Sequence, residues 1–134
     1  MNIIKVLVFV LFCVPAVAEE QQAEAAAPVV KTILQEQLAV WPKGEAIVTT
    51  LDLPANFQFT DHYHPGEEIL YVLHGDGWII YKDDEDVYLV AGQSARIAAG
   101  KVHSGSSGQH GLKAIIFRVH PSGEPIRVEV PAAP

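Results

Sequence analysis

Cysteine is almost missing from this chain: there is one in 134 residues, Cys13, inside the first apolar run. A lone cysteine makes no internal disulfide and no thiolate cluster, so both kinds of staple are excluded. Positive charge is scarce as well. Nine Lys and Arg against sixteen Asp and Glu leave a net charge of −7. Without a basic surface to displace counterions from phosphates, nucleic acid is not expected as a partner. Long apolar runs are absent too, the most extended being residues 6–14, far short of the roughly 20 residues that span a bilayer core. Past residue 40 no stretch keeps a helical apolar period for three turns. What the chain does have is 49% hydrophobic and 19% charged residues, a composition that folds, in about one domain's length.

The first eighteen residues read as an address. Residues 1–5 carry one positive charge, Lys5, an apolar run follows, and Ala16 and Ala18 stand where a signal peptidase reads small residues. This is the pattern of a secretory signal peptide cleaved after Ala18. Glu19 and Glu20 follow at once, and the residues before Cys13 are not those of a lipoprotein signal. Neither a stable membrane anchor nor lipidation is therefore expected, and the protein is expected to be periplasmic or secreted. Removing eighteen residues leaves 116, without cysteine and, with Lys5 gone, at a net charge of −8. Any chemistry then rests on nitrogen and oxygen groups. No twin-arginine pair precedes the apolar run, so a metal would be acquired outside the cytoplasm, where intrinsic affinity favours copper and zinc over manganese and iron.

Residues 19–32, rich in Ala, Glu and Gln, read as a flexible leader, residues 33–130 as one β domain and residues 131–134 as a tail. Within the domain, short apolar runs recur every 8–12 residues or so between Gly, Pro, Asn and Asp, an all-β signature. The runs cover 46–53, 57–64, 68–74, 78–81, 87–90, 94–97, 113–119 and 126–130, and the small residues of 104–111 read as a loop. Strands of this number are expected to close into a sandwich or barrel. Trp78, Tyr81, Tyr88 and Phe117 fall at strand positions, where core packing or a subunit interface accounts for them.

The chemistry concentrates in Asp61-His62-Tyr63-His64. Histidines two apart on a strand project to one side, Pro65 and Gly66 turn the chain, and Glu68 returns toward them. His103 follows the Gly100-Lys101-Val102 turn. Three imidazoles and a carboxylate suit a divalent transition ion, Mn, Fe, Ni, Cu or Zn, rather than calcium or magnesium. A His-x-His pair alone fits surface histidines equally well. His74, His110 and His120 are assigned to solvent, and the acidic run 83–86 to a solvated turn.

The spacing around the histidines supplies more. Asn56, five residues, His62-x-His64, three residues, Glu68, six residues, Gly75 resembles the first motif of the cupin superfamily. Gly92, five residues, Ala98-x-Gly100, two residues, His103 is similar to the second, and the sixteen residues between resemble small single-domain bacterial cupins. Asn56, Ala98 and Ser107 depart from the usual Gly, Pro and Asn, and none of these changes removes a ligand. The resemblance implies a double-stranded β-helix, a jelly-roll-like cupin barrel with a short N-terminal leader. It also implies one divalent metal ion held by His62, His64, Glu68 and His103, with a position open for substrate. Strand parity adds Gln58, Thr60, Leu70 and Val72 as candidate pocket residues.

Cupins include dioxygenases, isomerases, decarboxylases and binding proteins, so the fold does not choose among them. The reading carried forward is a metal-dependent oxidoreductase of dioxygenase type, or an isomerase, acting on a small oxygenated or aromatic substrate with Glu68 as its proton acceptor. The other is a non-catalytic module binding a metal or a small ligand such as a sugar or organic acid; no base or arginine clamp lies near the ligands in sequence, Lys101 and Arg96 being the nearest cations. The resemblance also implies a homodimer as the assembly.

Overall fold

The computed structural model describes residues 26–131, so the expected signal peptide, residues 19–25 of the expected leader and residues 132–134 of the expected tail lie outside the described residues. Within them the chain forms eight strands and no helix: β1 Val29–Leu38, β2 Trp41–Leu53, β3 His62–Tyr63, β4 Glu67–Tyr81, β5 Val87–Val90, β6 Ser94–Ile97, β7 His103–Pro121 and β8 Val128–Glu129.

Two long bent strands organise the rest. β4 and β7 pair antiparallel from Glu67 opposite Val119 to Tyr81 opposite His103, with register breaks after Val72 and Gly75. At the bend Gly75 (φ 74°) lies against Gly111 (φ 76°), and a Cβ on Gly75 would overlap the Gly111 carbonyl oxygen. Only glycine permits both that conformation and that approach. The bend divides one ladder into two sheets. In the first, the start of β4 and the end of β7 are flanked by β6 on one side and by β2 and β1 on the other. In the second, the end of β4 and the start of β7 are flanked by β5 and by β3 and β8. Two sheets sharing two continuous strands make the curled antiparallel barrel of a double-stranded β-helix.

Alternation fills its interior. Glu68, Leu70 and Val72 on β4 are buried while Glu67, Ile69, Tyr71 and Leu73 are exposed; on β7, Leu112, Ala114, Ile116, Arg118 and His120 are buried. Side chains two residues apart share a face, so one parity on each strand supplies the core, and each fully buried Leu or Ile contributes roughly 1.5–3 kcal/mol.

Three sequence expectations change. Residues 104–111 are not a loop but the first part of β7, paired with β4 from Tyr81 back to Gly77. Their Gly and Ser content imitates a loop, yet close approach needs glycine at two of them: a Cβ on Gly111 would overlap the Leu53 carbonyl oxygen, and one on Gly108 the Asp76 carboxylate. The strand pattern also begins earlier than expected, at Val29, because Val30 and Thr32 pair with Leu51 and Thr49 of β2. Trp78, Tyr88 and Phe117 are 45%, 46% and 45% exposed, which removes them from the core; Trp78 and Tyr88 stack on each other outside it. Tyr81 packs against the core cluster.

Candidate metal centre

Backbone pairing delivers the histidines. His62 on β3 sits opposite His103, the first residue of β7. His64 lies two residues on, and the Gly66 turn packs directly against the backbone of Val119 and His120 before β4 brings Glu68 inward. The turn that presents His103 is pinned to the other motif by the Gly100 amide, which donates to the His64 carbonyl at 2.8 Å. That bond, with Lys101 N–H donating to the Ala98 carbonyl at 3.1 Å, holds the turn where Ala98 stands in place of proline. Ser107 is similarly sufficient: its hydroxyl accepts from the Phe57 amide at 3.0 Å and donates to the Pro54 carbonyl, joining the start of one motif to the end of the other. Asn56 takes the left-handed conformation, at φ 57°, that asparagine tolerates best among residues other than glycine.

His62, His64 and His103 are each about 5% exposed, and one nitrogen of every ring lies within 4.8 Å of the others. The ring Nδ1 atoms face the carbonyls of Thr60, Ile126 and Lys101. A carbonyl only accepts, so each Nδ1 carries a proton, and in a neutral ring the Nε2 then presents a bare lone pair. Burial, partly countered by those carbonyl bonds, pushes His62 and His64 down to about 4. Both are therefore neutral at pH 7.

That neutrality decides how His64 and Glu68 are read. His64 Nε2 stands 3.1 Å from Glu68 Oε2, but a neutral ring protonated at Nδ1 has nothing to donate there. Two acceptors face each other in a buried site, beside two further Nε2 lone pairs. An arrangement of this kind is costly without a cation, and neutral imidazole nitrogen is a good ligand for divalent transition ions. The residues fit the metal that the sequence suggests.

Glu68 has a second partner absent from the sequence reading. Arg118 Nε and Nη2 donate to Glu68 Oε2 at 2.8 and 2.7 Å, and its Nη1 donates to Thr49 Oγ1 at 3.2 Å, with both charged side chains buried. Fifty residues separate the pair, so no local spacing reveals it. The available signal is parity: Ala114, Ile116 and Arg118 alternate on one strand face, and a charge in an apolar register calls for a buried partner. Lys101 and Arg96, the cations nearest in sequence, instead pair with Asp84 and Glu67 at the surface.

The four candidate ligands open onto a cavity of about 250 Å³. Leu70 lines it as expected, but Val72 is buried in the core beyond it. Gln58 and Thr60 point to solvent, while Phe57 and Phe59 turn inward. The parity argument fails because the chain bends at Asp61, so residues before and after it are out of phase. Thr60 still supports the site through its backbone, which orients His62, and through a hydroxyl that donates to Glu129 at 2.7 Å. Arg127 reaches across from the C-terminal segment to line the cavity and lie over the Phe59 ring at 5.1 Å. His74 and His110 are exposed, as expected. His120 is not: it is fully buried, sharing the inward register of Ile116 and Arg118, and it donates to the Glu124 carbonyl at 3.1 Å.

Comparison with known proteins places this geometry. The family model of the cupin domain matches residues 49–114, which span Thr49, all four candidate ligands and Ala114. None of the curated proteins matches the sequence. Among solved structures, an uncharacterized conserved protein with a double-stranded β-helix domain from Klebsiella pneumoniae has a TM-score of 0.63 at 16% identity, covering 81% of this chain and 89% of its own. A cupin-like protein from Thermotoga maritima has a TM-score of 0.62 at 19% identity, covering 77% and 75%. The DMSP lyase DddQ from Ruegeria pomeroyi has a TM-score of 0.60 at 20% identity, covering 76% of this chain and 51% of that one. At these identities the likeness is one of fold.

Proposed function

The chain belongs to the cupin superfamily, and we propose that it is an exported metal-binding cupin that holds one divalent transition ion on His62, His64 and His103, with Glu68 as the adjoining carboxylate. One observation carries the reading: three buried imidazoles, each with its Nδ1 turned to a backbone carbonyl that accepts from it, bring their other ring nitrogens toward one another. The activity that suits this centre is of dioxygenase type, on a small oxygenated or aromatic substrate. When bound, the ion would supply Lewis acidity and, if redox-active, electrons for oxygen. The protein's part is to fix the ligand nitrogens, exclude water with the apolar cavity wall and take up a substrate proton on Glu68. The second reading, a non-catalytic ligand-binding module, is favoured by the commitment of Glu68 Oε2 to the buried Arg118 guanidinium, which occupies that oxygen with two hydrogen bonds.

Export and a homodimeric assembly belong to the same proposal. Export is supported by the N-terminal pattern, and among the described residues no helix is long and apolar enough to cross a membrane. Dimerisation is supported by an exposed apolar face on the first sheet, formed by Ile69, Tyr71 and Leu73 of β4 with Phe117 and Val119 of β7. The test is elemental analysis of protein purified from its native compartment, beside His62→Ala and His103→Ala variants. Stoichiometric metal in the parent and loss in both variants is expected; undiminished metal in both variants overturns the site. Oxygen uptake with phenolic and diketone substrates then separates enzyme from binder.

A further inference from the structure

The metal reading leaves the ligand undefined, and two features of the cavity define it. The first is charge. An imidazole that ligates a metal does so as a neutral donor, and the one carboxylate beside the three rings is already matched by the buried Arg118 guanidinium. Arg127, the other cation on the cavity wall, is matched by Glu129, which it holds at about 2 together with a hydrogen bond from Thr60. The protein's own charges in and around the site therefore cancel, and a bound divalent ion would bring a positive charge that no residue compensates. In a cavity with low-dielectric walls such a charge is stabilised by an anionic ligand atom.

The second feature is the wall. Away from the histidines it consists of side chains such as Leu51, Leu53, Leu70, Ile97, Leu112 and Ile116. Few polar groups are free to bond a ligand: Thr49 accepts from Arg118, and Arg118 bonds Glu68, which leaves the hydroxyls of Thr32, Ser104 and Ser106 on the wall. A ligand carrying many hydroxyls would lose more water partners there than these groups replace. About 250 Å³ lies below the roughly 300–1,000 Å³ that drug-sized ligands occupy, room for a molecule of about a dozen heavy atoms.

Resting on the metal reading above, we propose that the Glu68–Arg118 pair sets the charge of this centre, so that it selects small, mostly apolar molecules with a single anionic oxygen head, such as a carboxylate or enolate, and rejects sugars and other polyols. Arg118 acts as a positioning and charge-setting residue, through Glu68 and away from the reacting atoms.

Calorimetric titration of the zinc-loaded wild-type protein tests this with three probes of similar size: 3-phenylpropanoate, its neutral amide, and shikimate, a carboxylate that carries three hydroxyls. The propanoate is expected to bind at least tenfold more tightly than either of the others, and only with zinc present. Equal or tighter binding of the amide or of shikimate overturns the inference, while stoichiometric zinc keeps the metal site standing. Failure to bind zinc removes the metal reading itself, and this inference with it. Two variants give a readout that simple structural support would not. Arg118→Met, which leaves Glu68 uncompensated, is expected to lose the tenfold preference for the anion. The double variant Glu68→Gln with Arg118→Met restores neutrality and is expected to regain it; a double variant with no preference refutes the charge argument. Should Arg118→Met not fold, the double variant and the wild-type panel carry the test, because replacing both members of a buried pair is commonly tolerated.

Discussion

Metal-free protein should lose stability in mild acid, in a window set by two histidines. His62 and His64 titrate at about 4 in the folded chain against 6.5 in an unfolded one, because burial disfavours their charged forms. Between those values the unfolded chain binds protons that the folded chain refuses, so stability rises with pH across the window and is lost as pH falls from 6.5 to 4. The gap corresponds to roughly 3 kcal/mol for one ring taken alone. The rings lie 5.0 Å apart between centroids, and a charge on one disfavours a charge on the other, so the figure for one ring, about 3 kcal/mol, is the least the pair should lose. In a domain of this size that is a fall of about 10–20 °C in Tm. Glu129, held at about 2 chiefly by Arg127, keeps its charge throughout, and ordinary carboxylates titrate mainly below the upper part of the window. The assay is thermal unfolding of chelator-treated protein by near-ultraviolet circular dichroism at half-unit steps from pH 7.5 to 4.5. A His62→Gln, His64→Gln double variant should flatten the slope. A wild-type Tm that stays level or rises as pH falls to 4.5 would refute the assignment of these rings as buried and neutral.

Metal should act on the same equilibrium from the other side: zinc at a hundred times its Kd is expected to stabilise by about 2.7 kcal/mol, read as a rise in Tm that His103→Ala abolishes. Ser107→Ala should cost about 1–3 kcal/mol in denaturant titration, since the Phe57 amide loses its side-chain acceptor and the Pro54 carbonyl loses its donor. Gly75→Ala should prevent soluble expression, because its Cβ meets the Gly111 backbone, whereas Gly123→Ala, at φ 86° in open space, should cost only about 1 kcal/mol in the same titration; equal effects would contradict the packing at the bend. Phe117→Lys, on the exposed apolar face, should shift light-scattering mass from dimer to monomer, and a monomeric parent protein would end the homodimer proposal.

The residues that were legible in sequence are those whose meaning is local. His62 and His64 needed only strand parity, and Glu68 and Gly75 only the count of residues around a turn, so the motif spacing fixed which side chains could meet. Parity failed at Gln58 and Thr60 because a single bend at Asp61 changes the phase, and no composition signal marks a bend that long-range pairing imposes. The stretch from Ser104 to Gly111 was misread for a related reason. Two of its glycines are explained by distant partners, since a Cβ at Gly111 would meet the Leu53 carbonyl and one at Gly108 the Asp76 carboxylate. Arg118 was hidden most completely, since its partner lies fifty positions away and its strand neighbours are aliphatic. Each miss is thus a property of a pair rather than of a residue, in a barrel whose two principal strands touch along their whole length. The same pairing gives Arg118 its consequence: Glu68 lies opposite Arg118 in the β4–β7 ladder, so the register that builds the barrel also sets the charge beside the three histidines.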